Sequence, residues 1–400
     1  MSSARGSRVL LPPALADPFD YFDHVFDWES NVAVVDMFAG AGGLSLGLDS
    51  VPGMRVVAAF ESDPVAAETH AANIASGSVI ADVRQVVSFA AALKEVGVRR
   101  VDILTGGPPC QGFSRLGKGA LRKLALSDGR GCDTMDERNL LFREFVRAVR
   151  ELEPLVVLIE NVPEMVGSPD VVAELVEVLE QLGYGVDGPK VLAATDHGVP
   201  QIRKRLFIIA SALSSDFQWP LPCRKRPTLR DAIGDLPAIS SASYDEETPY
   251  TRPDHLGRYV QMMRAGLRGG LARVVTDHVT RAHRPEDIEV FAAMEEGDRY
   301  NAVPPERRRY RSDIFDDKYH RMVWDRPSWT VTAHLSKDGY KYIHPSQPRT
   351  ISVREAARIQ SFPDRFRFAG SRTRRFAQVG NAVPPLLAYA VGRSLVRLFD

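Results

Sequence analysis

The stretch Val101-Asp102-Ile103-Leu104-Thr105-Gly106-Gly107-Pro108-Pro109-Cys110-Gln111-Gly112-Phe113-Ser114 decides how this chain folds. Its apolar half has the length and composition of a strand buried on both faces, and two glycines end that strand abruptly. Pro108 and Pro109 stiffen the turn that follows, and Cys110 sits at its exit. In an open α/β sheet ligands bind beyond the carboxyl ends of the strands, so a thiol here is placed like a nucleophile. A lone cysteine in such a turn more often fills space as a small hydrophobe. The residues on either side decide between the two readings.

Upstream, Val32-Ala33-Val34-Val35-Asp36-Met37 is a second buried strand. It runs into Phe38-Ala39-Gly40-Ala41-Gly42-Gly43, and Leu44 to Leu48 open a helix. Glycines between a strand and a helix let the backbone approach a ligand closely, although such a run alone is a weak signal. The strand Arg55 to Phe60 ends in Glu61, about 20 residues on, where an acid typically accepts hydrogen bonds from ribose hydroxyls. From this stretch alone, capping the helix that starts at Pro64 is an equally good reading of Glu61. A third strand end carries Ala81-Asp82-Val83, where Asp82 suits an exocyclic amine such as adenine's.

Downstream, Gly112 to Arg138 is a long glycine- and base-rich stretch without periodicity, the pattern of a lid. Helical spacing resumes from Asn139 to Glu151. Leu155-Val156-Val157-Leu158-Ile159 is another buried strand, ending in Glu160-Asn161-Val162-Pro163. Glu160 is thus expected on the same sheet edge as Cys110, to exchange a proton there or to cap the next helix. Gln201-Ile202-Arg203-Lys204-Arg205 leads into the strand Leu206 to Ala210. Alternate strand residues share a face, so Arg203 and Arg205 are expected to project together toward a planar, oxygen-bearing substrate. Strands alternating with helices over roughly 180 residues imply an α/β fold with a doubly wound, mostly parallel, Rossmann-like sheet.

Four hundred residues with 44% hydrophobic content can bury a core large enough for two domains. We read an arm at 1–30, an α/β domain at 31–212 completed by 376–400, a smaller, irregular, β-rich domain at 213–350, and a hinge at 351–375. The last apolar helix, Leu386 to Phe399, needs a surface, and the first domain's sheet is the candidate. Net charge is zero, which at first argues against nucleic acid as a partner. The distribution argues the other way: from Arg326 onward there are 13 Lys and Arg against 4 Asp and Glu. Arg115, Lys118, Arg122, Lys123 and Arg130 add a basic loop, and local basic faces set phosphate affinity. Cys110, Cys132 and Cys223 have no metal-ligand spacing, so no metal is expected, and a reducing cytoplasm fits them. No apolar run approaches the roughly 20 residues needed to span a bilayer.

In order and spacing these residues resemble the cytosine-5 DNA methyltransferase family. The matching stretches are Asp36 to Gly43, Pro108-Pro109-Cys110-Gln111, Glu160-Asn161-Val162, Gln201-x-Arg203-x-Arg205, Arg326-Pro327 with Thr330, and Gly380-Asn381. The resemblance implies transfer of a methyl group from S-adenosylmethionine to carbon 5 of a cytosine flipped out of a specific double-stranded DNA sequence. It gives Cys110 the addition to carbon 6, Glu160 the ring N3 and exocyclic amine, Arg205 the base carbonyl, and Arg203 the ordering of the site. It assigns Phe38, Gly40, Ala41, Gly43 and Leu44 to the methionine and ribose region. Glu61 would take the ribose hydroxyls and Asp82 and Val83 the adenine, while Gly107, Pro109, Asn381 and Val383 close the pocket.

Some members carry an aromatic residue after the ribose acid, where Ser62 stands here. Residues 213–350 would be the target-recognition domain. The implied protein is a cytoplasmic, bacterial-type modification enzyme, monomeric, with double-stranded DNA as partner and no membrane, working beside a restriction or defence system. The transfer-RNA branch of the family is the alternative, but it usually lacks so long a recognition segment. An oxidoreductase would share the glycines and Glu61 yet have no use for the Cys110 turn, Glu160 and paired arginines together.

Overall fold

The computed structural model describes residues 32–74, 78–80, 82–108, 137–167, 169–213, 217–309 and 318–399. The arm at 1–30, Pro109, Cys110 and the basic loop from Gly112 as far as residue 136 lie outside them. The first part alternates strand and helix: β1 (Val32–Met37), α1 (Gly43–Asp49), β2 (Met54–Phe60), α2 (Pro64–Asn73), β3 (Ser78–Ile80), α3 (Phe89–Glu95), β4 (Ile103–Gly106), α4 (Glu137–Leu152), β5 (Val156–Asn161), α5 (Pro169–Gln181), β6 (Gly185–Ala193), β7 (Gln201–Ile202) and β8 (Lys204–Ser211). Seven of the strands form one sheet in the order β3-β2-β1-β4-β5-β8-β6. β8 runs antiparallel to both of its neighbours, β5 and β6, while the pairs from β3 to β5 are parallel.

Alternation along the strands divides the sheet between two cores. Val34, Ile103, Val156, Leu158, Phe207 and Ile209 face one core, and Val35, Leu104, Val157, Ile159, Leu206 and Ile208 face the other. Successive side chains on a strand point to opposite faces, so a sheet covered on both sides needs apolar residues at every position. That is why these strands read as continuous apolar runs. The second core is closed by α3, α4 and α5. The first continues without a break into residues 217–399, through Leu229, Tyr259, Val275 and Phe362.

That remaining part holds α6 (Leu229–Ile233), β9 (Glu247–Pro249), α7 (Arg258–Met263), β10 (Val274–Thr276), α8 (Pro285–Ala293), β11 (Ser328–Trp329), α9 (Val353–Ile359), α10 (Arg372–Asn381) and α11 (Pro385–Leu395). The segment expected to be β-rich contains, among the described residues, one short antiparallel pair, β9 with β10, and the strand β11 laid parallel on β7. Short helical turns and loops make up the rest. Backbone N–H groups meet many of their carbonyls and arginine side chains meet others: Arg349 Nε donates to Ile239 O at 3.1 Å and Arg321 Nε to Pro345 O at 2.8 Å. Buried backbone acceptors need partners, and here long side chains supply some of them.

Residues 351–375, read as a hinge, contain α9, which is wholly buried. Ser352 and Glu355 form a capping box at its start. Arg349 grips the Glu355 carboxylate with two bonds of 2.7 Å, and Arg358 reaches Asp364 at 2.7 Å and Asp235 at 2.5 Å. Burial would raise the Glu355 carboxyl, but the Arg349 guanidinium outweighs it and holds the group well below the usual range. The helix α11 lies against the helix α1, where the sequence reading named the first domain's sheet as its surface. A Cβ at Gly47 would sit 2.4 Å from Ala388 Cβ and 2.4 Å from Pro385 O, so only glycine lets these helices meet.

Candidate active site

The carboxyl ends of β1, β2, β4 and β5 open onto a cleft of about 550 Å³, within the range of small-molecule sites. Its lining includes Phe38, Gly40, Ala41, Gly43, Leu44, Glu61, Asp82, Val83, Gly107, Glu160, Asn381 and Val383. Residues far apart in sequence are thus brought together as the sequence reading expected. Pro109 and Cys110 lie outside the described residues.

The loop after β1 turns sharply: Phe38 takes φ 60, Gly40 φ 56 and Gly42 φ 94. A left-handed backbone is unusual for a phenylalanine and must be held by its surroundings. Ala39 N donates to Phe60 O at 3.2 Å, and Gly40 N donates to Glu61 Oε2 at 2.8 Å. Glu61 Oε1 accepts from Asp63 N at 2.7 Å. The residue read as a ribose acid therefore also fastens two loops, and each carboxylate oxygen keeps a lone pair for a ligand. Helix capping falls to Asp63, which accepts from Val65 N and Ala66 N. Asp82 accepts from Arg84 through backbone and guanidinium, and those bonds hold its carboxyl below the usual range.

At the floor, Arg205 Nε lies 2.8 Å from Glu160 Oε1. The reversed direction of β8 explains the contact. Asn161 pairs with Leu206, so Arg205 falls just beyond the end of β5 and its side chain meets Glu160 across the sheet edge. Burial pushes the Glu160 carboxyl above its usual range, even against the pull of Arg205 and Arg203. A Cβ at Gly107 would stand 2.8 Å from Glu160 Oε2, so the glycine before Pro108 keeps that carboxyl in place. Asn161 Nδ2 donates to Pro108 O at 2.9 Å and ties the two strand ends together.

The paired arginines divide their labour. Arg203 is fully buried and donates to Val331 O at 2.7 Å and to Gly380 O and Ala382 O at 3.0 Å each. Gln201, also buried, accepts from Val331 N at 2.8 Å. Both residues tie the stretch that leads into β8 to later segments of the chain, while Arg205 pairs with Glu160.

Asp63 and Arg374 line the cleft without having been singled out in the sequence, and so does Asp36, with Ser45 and His70 behind it. Asp36, buried at the end of β1, accepts from Ser45 Oγ at 2.5 Å, and Ser45 Oγ lies 2.9 Å from His70 Nε2. Burial, reinforced by Glu61 and Glu160, pushes the Asp36 carboxyl up to about 7. Burial also pulls the His70 imidazole down to about 4. An acid within an apolar strand was the available signal for Asp36. Ser45 and His70 carry none, because their meeting depends on how α1 and α2 pack.

The family comparison follows this geometry. The model of the family described as C-5 cytosine-specific DNA methylase matches residues 32–397. The chain belongs to that family. It is 33% identical to the Type II methyltransferase M1.HphI of Haemophilus parahaemolyticus over 371 residues, covering 92% of this chain and 87% of that protein. It is 34% identical to the Type II methyltransferase M.Eco47II of Escherichia coli, covering 92% and 79%. A solved structure from an E. coli prophage, described as a DNA modification methyltransferase, superposes with a TM-score of 0.72 at 27% identity, covering 92% and 99%. The enzyme is a DNA cytosine-5 methyltransferase on a Rossmann-like methyltransferase sheet. Among the described residues no helix is long and apolar enough to cross a membrane.

Methyltransferases of this family use S-adenosylmethionine, and the cleft fits it. Among the described residues Asp36, Glu61, Asp63, Asp82 and Glu160 line it with one basic residue, Arg374. A lining so rich in carboxyl oxygens offers acceptors to the hydroxyls and the ammonium of such a ligand.

Proposed function

We propose that this enzyme methylates cytosine within a specific double-stranded DNA sequence as a bacterial modification enzyme, through a covalent Cys110 adduct. The observation that carries the mechanism is the buried Glu160 carboxyl gripped by Arg205 at the edge of the cleft.

Carbon 5 of cytosine is a poor nucleophile and is buried in the duplex stack. Methyltransferases solve the second problem by flipping the base, and the basic loop after Cys110 is suited to closing over the DNA. The Cys110 thiolate then adds to carbon 6. Glu160, whose carboxyl burial pushes above its usual range, would share a proton with ring N3 and accept from the exocyclic amine. Arg205 orients Glu160 and faces the base carbonyl. S-adenosylmethionine supplies the methyl group from its sulfonium. Phe38, Gly40, Ala41, Gly43 and Leu44 would border its methionine and ribose, Glu61 its hydroxyls, Asp82 and Val83 its adenine, and Gly107, Pro109, Asn381 and Val383 would close the pocket. Loss of the carbon-5 proton to water expels the thiol and frees the enzyme.

Fluorine at carbon 5 cannot leave as a cation, so DNA containing 5-fluorocytosine should trap the enzyme after methyl transfer. The adduct should survive denaturing electrophoresis, require S-adenosylmethionine, and map by mass spectrometry to the peptide containing Cys110. Cys110→Ser should abolish it, since a serine hydroxyl does not ionise at neutral pH. Trapping that persists in Cys110→Ser would refute the mechanism.

A further inference from the structure

α10 presents Arg374, Gln378 and Asn381 to the cleft, at the three- and four-residue spacing that stacks side chains on one helix face. Arg374 Nη1 reaches Asp63 Oδ2 at 2.9 Å, two residues beyond Glu61. Gln378 lies one turn further along that face and is 9% exposed. Its Nε2 donates to Ala369 O at 3.0 Å, which fixes the orientation of the amide. Ala369 is itself held to α2, where its N–H donates to Thr69 Oγ1 at 2.9 Å. The carbonyl oxygen Oε1 of Gln378 is buried and has no hydrogen-bond partner among the described residues.

A buried amide oxygen left unpaired is costly, and such groups in folded proteins almost always find a donor. The helix that carries Gln378 is bonded through Arg374 to Asp63, two residues beyond Glu61, and Gln378 and Glu61 line the same cleft. We infer that Gln378 Oε1 accepts a hydrogen bond from a ribose hydroxyl of the bound S-adenosyl ligand, opposite Glu61. This rests on the reading of the cleft as the nucleoside site. Gln378 would then raise the affinity for the intact ribose by about tenfold, the usual worth of one hydrogen bond to a buried acceptor.

The test is a calorimetric titration of the full chain with S-adenosylhomocysteine and with its 2′-deoxy and 3′-deoxy analogues. It compares wild type with Gln378→Met, which keeps the length of the side chain and removes the acceptor. Wild type should prefer the intact ribose over one of the deoxy analogues. In Gln378→Met that preference should shrink by about tenfold, while the affinity for that analogue stays near wild type. A uniform loss across all three ligands would mean that Gln378 only props the helix against Ala369, and would overturn the inference. An unchanged preference would overturn it too. Failure of wild-type protein to bind S-adenosylhomocysteine at all would instead overturn the reading of the cleft.

Discussion

At the scale of the residue, burial makes two carboxyl groups of the cleft, Asp36 and Glu160, resist ionisation. Asp36 shows this most clearly, because its neighbours are a hydroxyl, an imidazole and two further acids, Glu61 and Glu160. Its carboxyl is pushed up to about 7 in the folded chain against 3.8 in the unfolded chain. Between those values the folded state holds a proton that the unfolded state has lost. The stability contribution is therefore full below about pH 4 and is lost as pH rises through 7, a swing of roughly 4 kcal/mol. Asp36→Asn keeps the acceptor for Ser45 and removes the titration. In urea unfolding without ligand, the variant should gain on wild type between pH 5 and pH 8 and be the more stable at pH 8. Parallel pH dependences for the two proteins would show that Asp36 is not the group responsible.

At the scale of the element, the nucleoside cleft depends on the last helix. α1 begins in the glycine-rich loop, and α11 backs it so closely that Gly47 meets Ala388, Pro385 O and Tyr389 N at 2.4, 2.4 and 2.8 Å from a would-be Cβ. Alanine would improve helix propensity by about 1 kcal/mol, yet backbone atoms cannot yield as a side-chain tip does. Overpacking costs about 1–3 kcal/mol and should win. Gly47→Ala should therefore lower the melting temperature and weaken S-adenosylhomocysteine binding together. Gly167→Ala, where nothing lies within 4 Å, should leave both within about 0.5 kcal/mol of wild type. Equal behaviour of the two variants would contradict this account of the helix pair.

At the scale of the whole molecule, one hydrophobic core runs from beneath the central sheet into residues 217–399, and buried arginines tie the same parts together. The segment read as the recognition domain is fastened to the sheet side of the chain through Arg203, Gln201 and α9. Exchanging residues 213–325 for those of a relative with another target should therefore move the methylation pattern and leave the chemistry intact. Bisulfite sequencing of DNA treated with the chimera reads this directly. A pattern that stays with the parent site after the exchange would remove recognition from that segment.

The strands of the sheet other than the largely exposed β6, the glycine loop, Glu61, Glu160 and the order of the family's stretches were legible in the sequence, because each rests on local patterning or on neighbours a few residues apart. Gln378 stands two residues before Gly380-Asn381, but nothing in the linear order shows that its oxygen lacks a partner among the described residues. The two arginines were legible as a pair, yet their separate tasks follow from the antiparallel entry of β8, a choice of strand direction that composition does not carry. The scarcity of strands among the described residues of 213–350 was equally hidden, since carbonyls there are met by turns and by arginine side chains from distant segments. Asp36, Ser45 and His70 meet only because α1 and α2 pack on the end of β1. Periodicity and turn chemistry act over a few residues and can be read along the chain. Burial, charge and hydrogen-bond satisfaction depend on which segments come together, and only the tertiary structure decides that.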